Sequence, residues 1–203
     1  MIAFRNVLTA VGALLLATAA AHAQGMYVTP SRHLISVGFG GGVSVPVSDY
    51  KDAFKNGVNG EGFVLVQPPG GLPALRFNLS YQKFNLKDAI AQGEGGAPSG
   101  SSRILGGIGG LSMNLLQGPI RPYITAGLGA FNVNTVTELA SGDQSVSSTN
   151  FGIDGGAGLA LHIGRIDGFA EGHLQNVYTR NGGLTNAKSI QFIPVTFGIT
   201  IGL

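Results

Sequence analysis

Few side chains in this sequence are able to do acid–base or electrostatic chemistry, because charged residues make up 11% of its 203 positions. The most informative of them lie in segments where polar and apolar residues alternate, on the polar side of that alternation. They are Glu61, Arg76, Asp154, His162, Glu171 and His173. Acids and bases enclosed on one face must pair and hydrogen-bond, since an unpaired buried charge is costly. We therefore expect these residues to form a polar network of structural type.

Metal and phosphate binding are alternative uses of such residues, and the spacing favours neither. His33, His162 and His173 lie in different segments, without a cysteine or a dense carboxylate cluster to complete a ligand set. The glycine-rich residues 107–110 are not followed by the Lys-Ser or Lys-Thr pair of a phosphate-binding loop. We expect neither a metal nor a cofactor.

The first residues have the pattern of an export signal. Arg5 supplies a positive charge, residues 7–21 form an uncharged apolar run, and Ala23 closes an A-x-A cleavage pattern. The run is shorter than the about 20 residues that a membrane-spanning helix needs. The sequence therefore predicts that residues 1–23 are a signal peptide and are removed.

The mature chain would begin at Gln24 and form one domain, 24–203, because no Ser- or Pro-rich linker divides it. The formal net charge is +2 and the basic residues are scattered along the chain, which argues against a nucleic-acid partner. Soluble domains contain about 25% charged residues. The low charge and the 34 glycines are typical of a sheet surrounded by lipid.

Beyond residue 33 the sequence alternates with period two, which is the pattern of β-strands. The clearest segment places Leu75, Phe77 and Leu79 on one face and Arg76 and Asn78 on the other. We predict eight strands, at about 33–46, 57–67, 73–84, 103–116, 122–136, 151–163, 169–179 and 190–203.

The predicted connections alternate strictly between long and short. Those after strands one, three, five and seven are long and polar, and those after strands two, four and six are tight Gly/Pro turns. The long ones are 49–56, 85–101, 137–149 and 180–189, and the tight ones are 68–72, 117–121 and 164–168. Outer-membrane barrels have this asymmetry, with short periplasmic turns and longer external loops.

A sheet in hydrocarbon has to close on itself, because every backbone donor and acceptor needs a partner. Closure at eight strands leaves an interior that side chains just fill. The predicted fold class is therefore all-β, an eight-stranded antiparallel up-and-down transmembrane β-barrel with a filled polar lumen. A diffusion pore is disfavoured.

Four stretches carry a family resemblance: GFGGGVSVP (38–46), RPYITAGLG (121–129), FGIDGGAG (151–158) and FIPVTFGI (192–199). They are similar to the outer-membrane β-barrel domain family, which contains the OmpA transmembrane domain and the opacity proteins. With the strand count, the resemblance spans nearly all of the mature chain. It implies a monomer in the outer membrane of a Gram-negative-type bacterium, with outer-membrane lipid and the barrel-insertion machinery as partners.

The family's last strand resembles an assembly signal, apolar at alternate positions and usually ending in Phe. Phe197, Ile199, Ile201 and Leu203 keep this phase here, but the final residue is Leu. The departure weakens the signal that the insertion machinery would recognise.

An enzymatic alternative comes from small outer-membrane barrels that are lipid A acyl hydrolases and use a His and a Ser two residues apart. The matching stretch here places Gln175 after His173, and Gln cannot serve as the nucleophile. We therefore expect no catalytic role.

The expected function is structural or adhesive, through four extracellular loops that could contact a surface partner or another cell. The longest of them, 85–101, is the first candidate for a binding surface. Two other functions stay open: a narrow channel or small-ligand transporter, and a soluble lipocalin-like barrel that binds a ligand inside. A lipocalin-like barrel would have its larger apolar residues inside and a charged outer face, whereas the larger face here suits lipid.

Overall fold

The computed structural model describes residues 33–69, 72–87, 99–139, 142–163, 166–179 and 189–203. The expected cleavage residues Ala23 and Gln24 lie outside these ranges. The elements in chain order are β1 (Ile35–Val47), α1 (Tyr50–Ala53), β2 (Gly57–Val66), β3 (Ala74–Asn85), β4 (Ser99–Asn114), β5 (Ile120–Leu139), β6 (Gly142–Ile163), β7 (Ile166–Tyr178) and β8 (Ser189–Gly202). No helix in the described part of the chain is long and apolar enough to cross a membrane.

The strands form a closed antiparallel barrel in which each strand pairs with its neighbours in sequence and β8 pairs with β1. Beside this closing pair, the Leu203 amide donates a hydrogen bond to the Ile35 carbonyl over 2.9 Å. The predicted fold class is confirmed. We call the end where β1 begins and β8 ends the near end, and the opposite end the far end.

The outer surface carries a belt of large apolar side chains, because the alternation places them outward on every strand. On β3 the pattern is strict: Leu75, Phe77, Leu79 and Tyr81 are exposed and the residues between them are buried. The same outward phase holds on β8, where Phe197 is 61% exposed. This distribution is the reverse of a soluble barrel, and it suits a surface bathed in lipid.

The interior has two layers of different chemistry. Toward the near end lies the charged cluster, which consists of Glu61, Arg76, Asp154, Glu171 and His173. Toward the far end lies the apolar plug, whose buried members are Tyr50, Ala53, Phe54, Phe84, Ile104, Ile108, Phe131, Val133, Val177, Ile190 and Phe192. The apolar layer was not expected from the sequence, which predicted a polar interior throughout.

Inward glycines make room for the large side chains of both layers. A Cβ at Gly158 would lie 2.4 Å from Cζ of Tyr123, and one at Gly106 would lie 2.7 Å from Cε1 of Phe131. Tyr123 and Phe131, whose phase on strand five the sequence left unresolved, both point inward and are buried.

Residues 137–149, expected to be an external loop, are mostly strand, so this expectation was wrong. β5 continues to Leu139, β6 begins at Gly142, and the two remain paired throughout this far-end hairpin. Residues 145–149 are polar apart from Val146 and are exposed on both faces of the hairpin, so they show no alternation between apolar and polar side chains. Side chains still form a ladder: the Asn132 amide nitrogen donates to Ser147 Oγ and Thr149 Oγ1 at 3.2 and 3.1 Å.

Candidate functional site

The charged cluster is built around an ion pair that crosses the barrel from β3 to β7. Arg76 Nη1 donates to Glu171 Oε2 at 2.8 Å, and Nη2 donates to Oε1 at 2.6 Å. Both side chains are buried because they lie at inward positions of their strands. The fork of two parallel bonds fixes the guanidinium and the carboxylate in one plane.

His173 joins this pair to a second carboxylate. Its Nδ1 lies 2.9 Å from Asp154 Oδ1, and its Nε2 lies 3.2 Å from Glu171 Oε1. The Gln175 amide nitrogen donates to Asp154 Oδ2 at 3.0 Å, so both Asp154 oxygens have partners. Nδ1 of His173 is thus hydrogen-bonded to Asp154, and Nε2 lies beside the Glu171 carboxylate.

Glu61 approaches the same guanidinium from β2. Its Oε2 lies 3.7 Å from Arg76 Nη2 and accepts a hydrogen bond from the Asn78 amide at 2.8 Å. The Tyr123 hydroxyl donates to Glu171 Oε2 at 2.7 Å. The cluster therefore draws side chains from β2, β3, β6 and β7, and Tyr123 adds a contact from β5.

The guanidinium of Arg76 is also packed against an aromatic ring. Its Cζ lies 3.9 Å from the centroid of Phe63, which is a cation–π geometry, and Phe63 in turn meets Phe169 at 5.4 Å. These two rings lie on the near-end side of the cluster. The alternation of the sequence did not predict inward aromatic side chains at these positions.

The space beside the cluster is small. A cavity lined by Arg76, Asn78, Ile108, Thr125 and Asp154 has a volume of about 10 Å³, roughly the room that one water needs. Among the described residues, no group of three or more His, Asp or Glu side chains is arranged to hold a metal ion. The arrangement stabilises opposed walls and offers no room for a substrate beside the charges.

His162 lies apart from the other five residues that the sequence analysis selected. It sits at the near-end rim, where its Nδ1 is 2.6 Å from Asp167 Oδ1, and about half of its side chain is exposed. Arg121 donates to the other oxygen of Asp167. Alternation assigns a residue to a face but not to a depth, so it could not separate His162 from His173. The sequence could have predicted the Arg121–Asp167 ion pair, because the two residues carry opposite charges in neighbouring predicted turns, 117–121 and 164–168.

The apolar plug is closed at the far end by α1. The rings of Tyr50 and Phe54 pack in a tilted arrangement with centroids 4.4 Å apart, and the Phe84 ring centroid lies 5.3 Å from that of Tyr50 and 5.6 Å from that of Phe192. Burial raises the pKa of the Tyr50 hydroxyl well above its usual range. The spacing of Tyr50, Ala53 and Phe54, at i, i+3 and i+4, was the sequence signal for a short packed helix.

Backbone hydrogen bonds hold α1 against the far end of β3. The Lys87 amide donates to the Ala53 carbonyl and the Lys55 amide donates to the Asn85 carbonyl, each over 2.9 Å. Phe54 also forms a β-bridge with Leu86. The connection 49–56, expected to be a solvated loop, is therefore folded over the barrel mouth.

The residues selected for the last strand share one face. Phe197, Ile199, Ile201 and Leu203 occupy the outward phase of β8, next to the outward residues of β1. Leu203 is the most exposed of them, at 72%.

Comparison with solved structures places the barrel among outer-membrane proteins. Neisserial surface protein A is 16% identical with a TM-score of 0.59, covering 83% of this chain and 97% of that one. The attachment invasion locus protein of Yersinia pestis, in complex with the heparin analogue sucrose octasulfate, is 12% identical with a TM-score of 0.56 over 83% and 97%. A major outer membrane protein of Thermus thermophilus is 12% identical with a TM-score of 0.51 over 85% and 100%.

At these identities the likeness concerns the fold. It confirms the expected eight-stranded barrel of outer-membrane type, and it supports the expected location in an outer membrane. No protein-family model matches the chain, and no curated protein sequence matches it.

Proposed function

We propose that this chain is an integral outer-membrane barrel with a closed interior, and that it acts at the cell surface as a structural or adhesive protein rather than as an enzyme. One observation carries the proposal. Arg76 and Glu171 are buried inside the barrel, while Leu79 is 66% exposed outside it. Charges inside and large apolar side chains outside are stable together only where lipid surrounds the barrel.

Export and orientation follow from the same proposal. The signal peptide 1–23 directs the chain across the inner membrane, and cleavage leaves a mature N-terminus at Gln24. The insertion machinery then recognises the outward face of β8, with the near end in the periplasm and the far end outside the cell. N-terminal sequencing of the mature protein tests the cleavage position.

A closed interior is supported by the two layers that fill it, the charged cluster toward the near end and the apolar plug toward the far end. An ion passing through would have to separate the Arg76–Glu171 pair and then cross the apolar rings around Phe84. Both steps are costly, because the first exposes buried charges without partners and the second takes an ion through an apolar layer. We therefore prefer a silent barrel to a narrow channel or transporter.

A contact role is supported by the far end, where the β5–β6 hairpin and α1 present polar side chains outward. Two of the structural neighbours are described as a surface protein and as an attachment protein, which is consistent with this role. The proposal is a monomer that meets its partner through the far end.

The test combines three measurements on the detergent-folded protein and on intact cells. We expect a mobility shift on a semi-native gel after boiling, trypsin cleavage of intact cells confined to the far-end connections, and silence in planar bilayers. Steady unitary conductance steps would replace the closed barrel with a channel. Recovery of the protein in the soluble periplasmic fraction, without a gel shift, would overturn the membrane location.

A further inference from the structure

Two cations face each other at the far edge of the apolar belt. Lys83 on β3 is paired in register with Arg103 on β4, and both are exposed on the outer face of the barrel. The preceding outward pair, toward the near end, is Tyr81 and Leu105, both exposed and both part of the belt. Two residues along a strand span about 7 Å, so on β3 and β4 the cations lie immediately beyond the apolar surface. On the β2 side, the exposed Val58 is paired in register with Lys83.

Two positive charges meet here on neighbouring strands. Like charges directly opposite each other on two strands are destabilising. Among the described residues, no carboxylate forms an ion pair with Lys83 or Arg103. An anion held between the two side chains would remove the repulsion.

The row continues with neutral hydrogen-bonding groups. Arg103 pairs in register with Asn134 on β5, which pairs with Ser147 on β6. Ser147 Oγ also donates to the Asn132 amide oxygen at 3.4 Å. Amide and hydroxyl groups beside a cationic pair suit a headgroup that carries hydroxyls next to its anion.

An apolar wall lies below the cations along the same strands. Phe77 and Leu79 on β3 and Leu111 on β4 are exposed on the outer face, toward the near end from Lys83 and Arg103. Going from the near end toward the far end along β3 and β4, the outer surface is first apolar and then cationic. This order matches a molecule whose acyl chains are joined to an anionic headgroup.

We infer that Lys83 and Arg103 form a site for the phosphate of a lipid headgroup in the outer leaflet. The guanidinium supplies two parallel N–H donors to phosphate oxygens, and the lysine supplies a point charge. The neighbouring amide and hydroxyl groups contact the headgroup, and the acyl chains lie along Phe77 and Leu79. This inference rests on the proposed membrane location.

The test uses the full barrel in vesicles that contain equal amounts of phosphatidylcholine and phosphatidic acid. The protein is released with detergent, and native mass spectrometry measures the ratio of the two lipids retained. We expect phosphatidic acid to be enriched by about tenfold, and the enrichment to disappear in Lys83→Gln/Arg103→Gln. The matched control Lys51→Gln/Lys87→Gln removes the same charge from the far end and keeps the enrichment.

Three outcomes would overturn the site. Equal retention of the two lipids by the unchanged protein would remove it, as would an enrichment that survives the Lys83/Arg103 double variant. Loss of the enrichment when millimolar inorganic phosphate is added would assign the site to free phosphate. A semi-native gel on the same sample separates these results from failure of the proposed function: a barrel that shifts on boiling without enrichment overturns the site alone, whereas a chain that never shifts overturns both.

Discussion

Arg76 and Glu171 are 95 positions apart in sequence, yet their side chains meet inside the barrel in a two-pronged ion pair of 2.8 and 2.6 Å. The pair joins β3 to β7 across the interior. Tyr123 and His173 then bind the same carboxylate from two further directions. A buried pair of this kind contributes chiefly by the presence of both partners, since removing either charge takes away the main partner of the other.

Replacing one partner should therefore be strongly destabilising. We expect Glu171→Gln to lower the free energy of unfolding by about 3–5 kcal/mol, because the buried Arg76 guanidinium loses its two-pronged partner and keeps the more distant Glu61 carboxylate, 3.7 Å from Nη2. Urea unfolding of the lipid-embedded barrel, followed by circular dichroism, measures the change.

The double variant Arg76→Met/Glu171→Leu is the matched control, because it removes both charges and keeps the volume. We expect it to recover part of the lost stability, because the pair is removed as a whole while Glu61, 3.7 Å from Arg76 Nη2, loses its ion pair. Equal destabilisation of the single and double variants would mean that packing rather than charge compensation sets the effect.

Two glycines that lie close together on β4 and β5 should differ in their tolerance of alanine. A Cβ at Gly129 would meet backbone atoms of Gly107 and Ile108 at 2.1 and 2.9 Å, whereas a Cβ at Gly107 meets nothing within 4 Å. We expect Gly129→Ala to cost about 1–3 kcal/mol of unfolding free energy. Gly107→Ala should change it by less than about 0.5 kcal/mol. Equal effects in urea unfolding would contradict the assignment of Gly129 to the crowded inner face.

The outer half of this structure could be predicted from the sequence, because lipid demands a regular apolar phase. Leu75, Phe77 and Leu79 show that phase without interruption, and it gave the strand count and the fold class. The residues 145–149 are exposed on both faces and lack such a phase, so the same reasoning mistook paired strands for a loop.

For the barrel interior, the sequence predicted which polar residues point inward but not how far along the barrel axis each one lies. Arg76, Glu171 and His173 meet as opposite charges on one enclosed face must. Phe84 and Phe192 share that inward phase, but an inward aromatic looks like an outward one at a strand edge that is uncertain by a few residues. The two interior layers are determined by which residues of different strands lie close together. The alternation within one strand carries no information on those distances.

The two interior layers should block ions independently. We expect Phe54→Ala to lower the free energy of unfolding by about 3–5 kcal/mol, because it empties a buried aromatic site beside Tyr50 and Phe84. It should leave the barrel silent in planar bilayers, since the charged cluster still fills the near half. Combination with Arg76→Ala should produce conductance steps. Conductance in Phe54→Ala alone would show that the plug is the sole barrier.

The far-end connection after β3 should carry contact with a surface partner if the adhesive role holds. Removing residues 89–99 is expected to leave the boiling-dependent gel shift unchanged and to abolish attachment of expressing cells to the surface they bind. Attachment that survives the deletion would move the role to the β5–β6 hairpin. A deletion of Ser145 to Ser148, from the polar ladder of that hairpin, is the comparison that separates the two.

The end of β8 offers a test of assembly. Leu203 continues the outward phase of Phe197, Ile199 and Ile201, and its amide is bonded to Ile35 at the seam where the barrel closes. A terminal aromatic in the same phase should strengthen recognition without disturbing that backbone bond, because the side chain points outward. We expect Leu203→Phe to raise the fraction of heat-modifiable barrel in pulse-labelled cells, and Leu203→Lys to lower it. The unfolding free energies of Leu203→Phe and of the unchanged protein should be equal. A rise in stability matching the rise in yield would assign the effect to packing at the seam instead of to recognition.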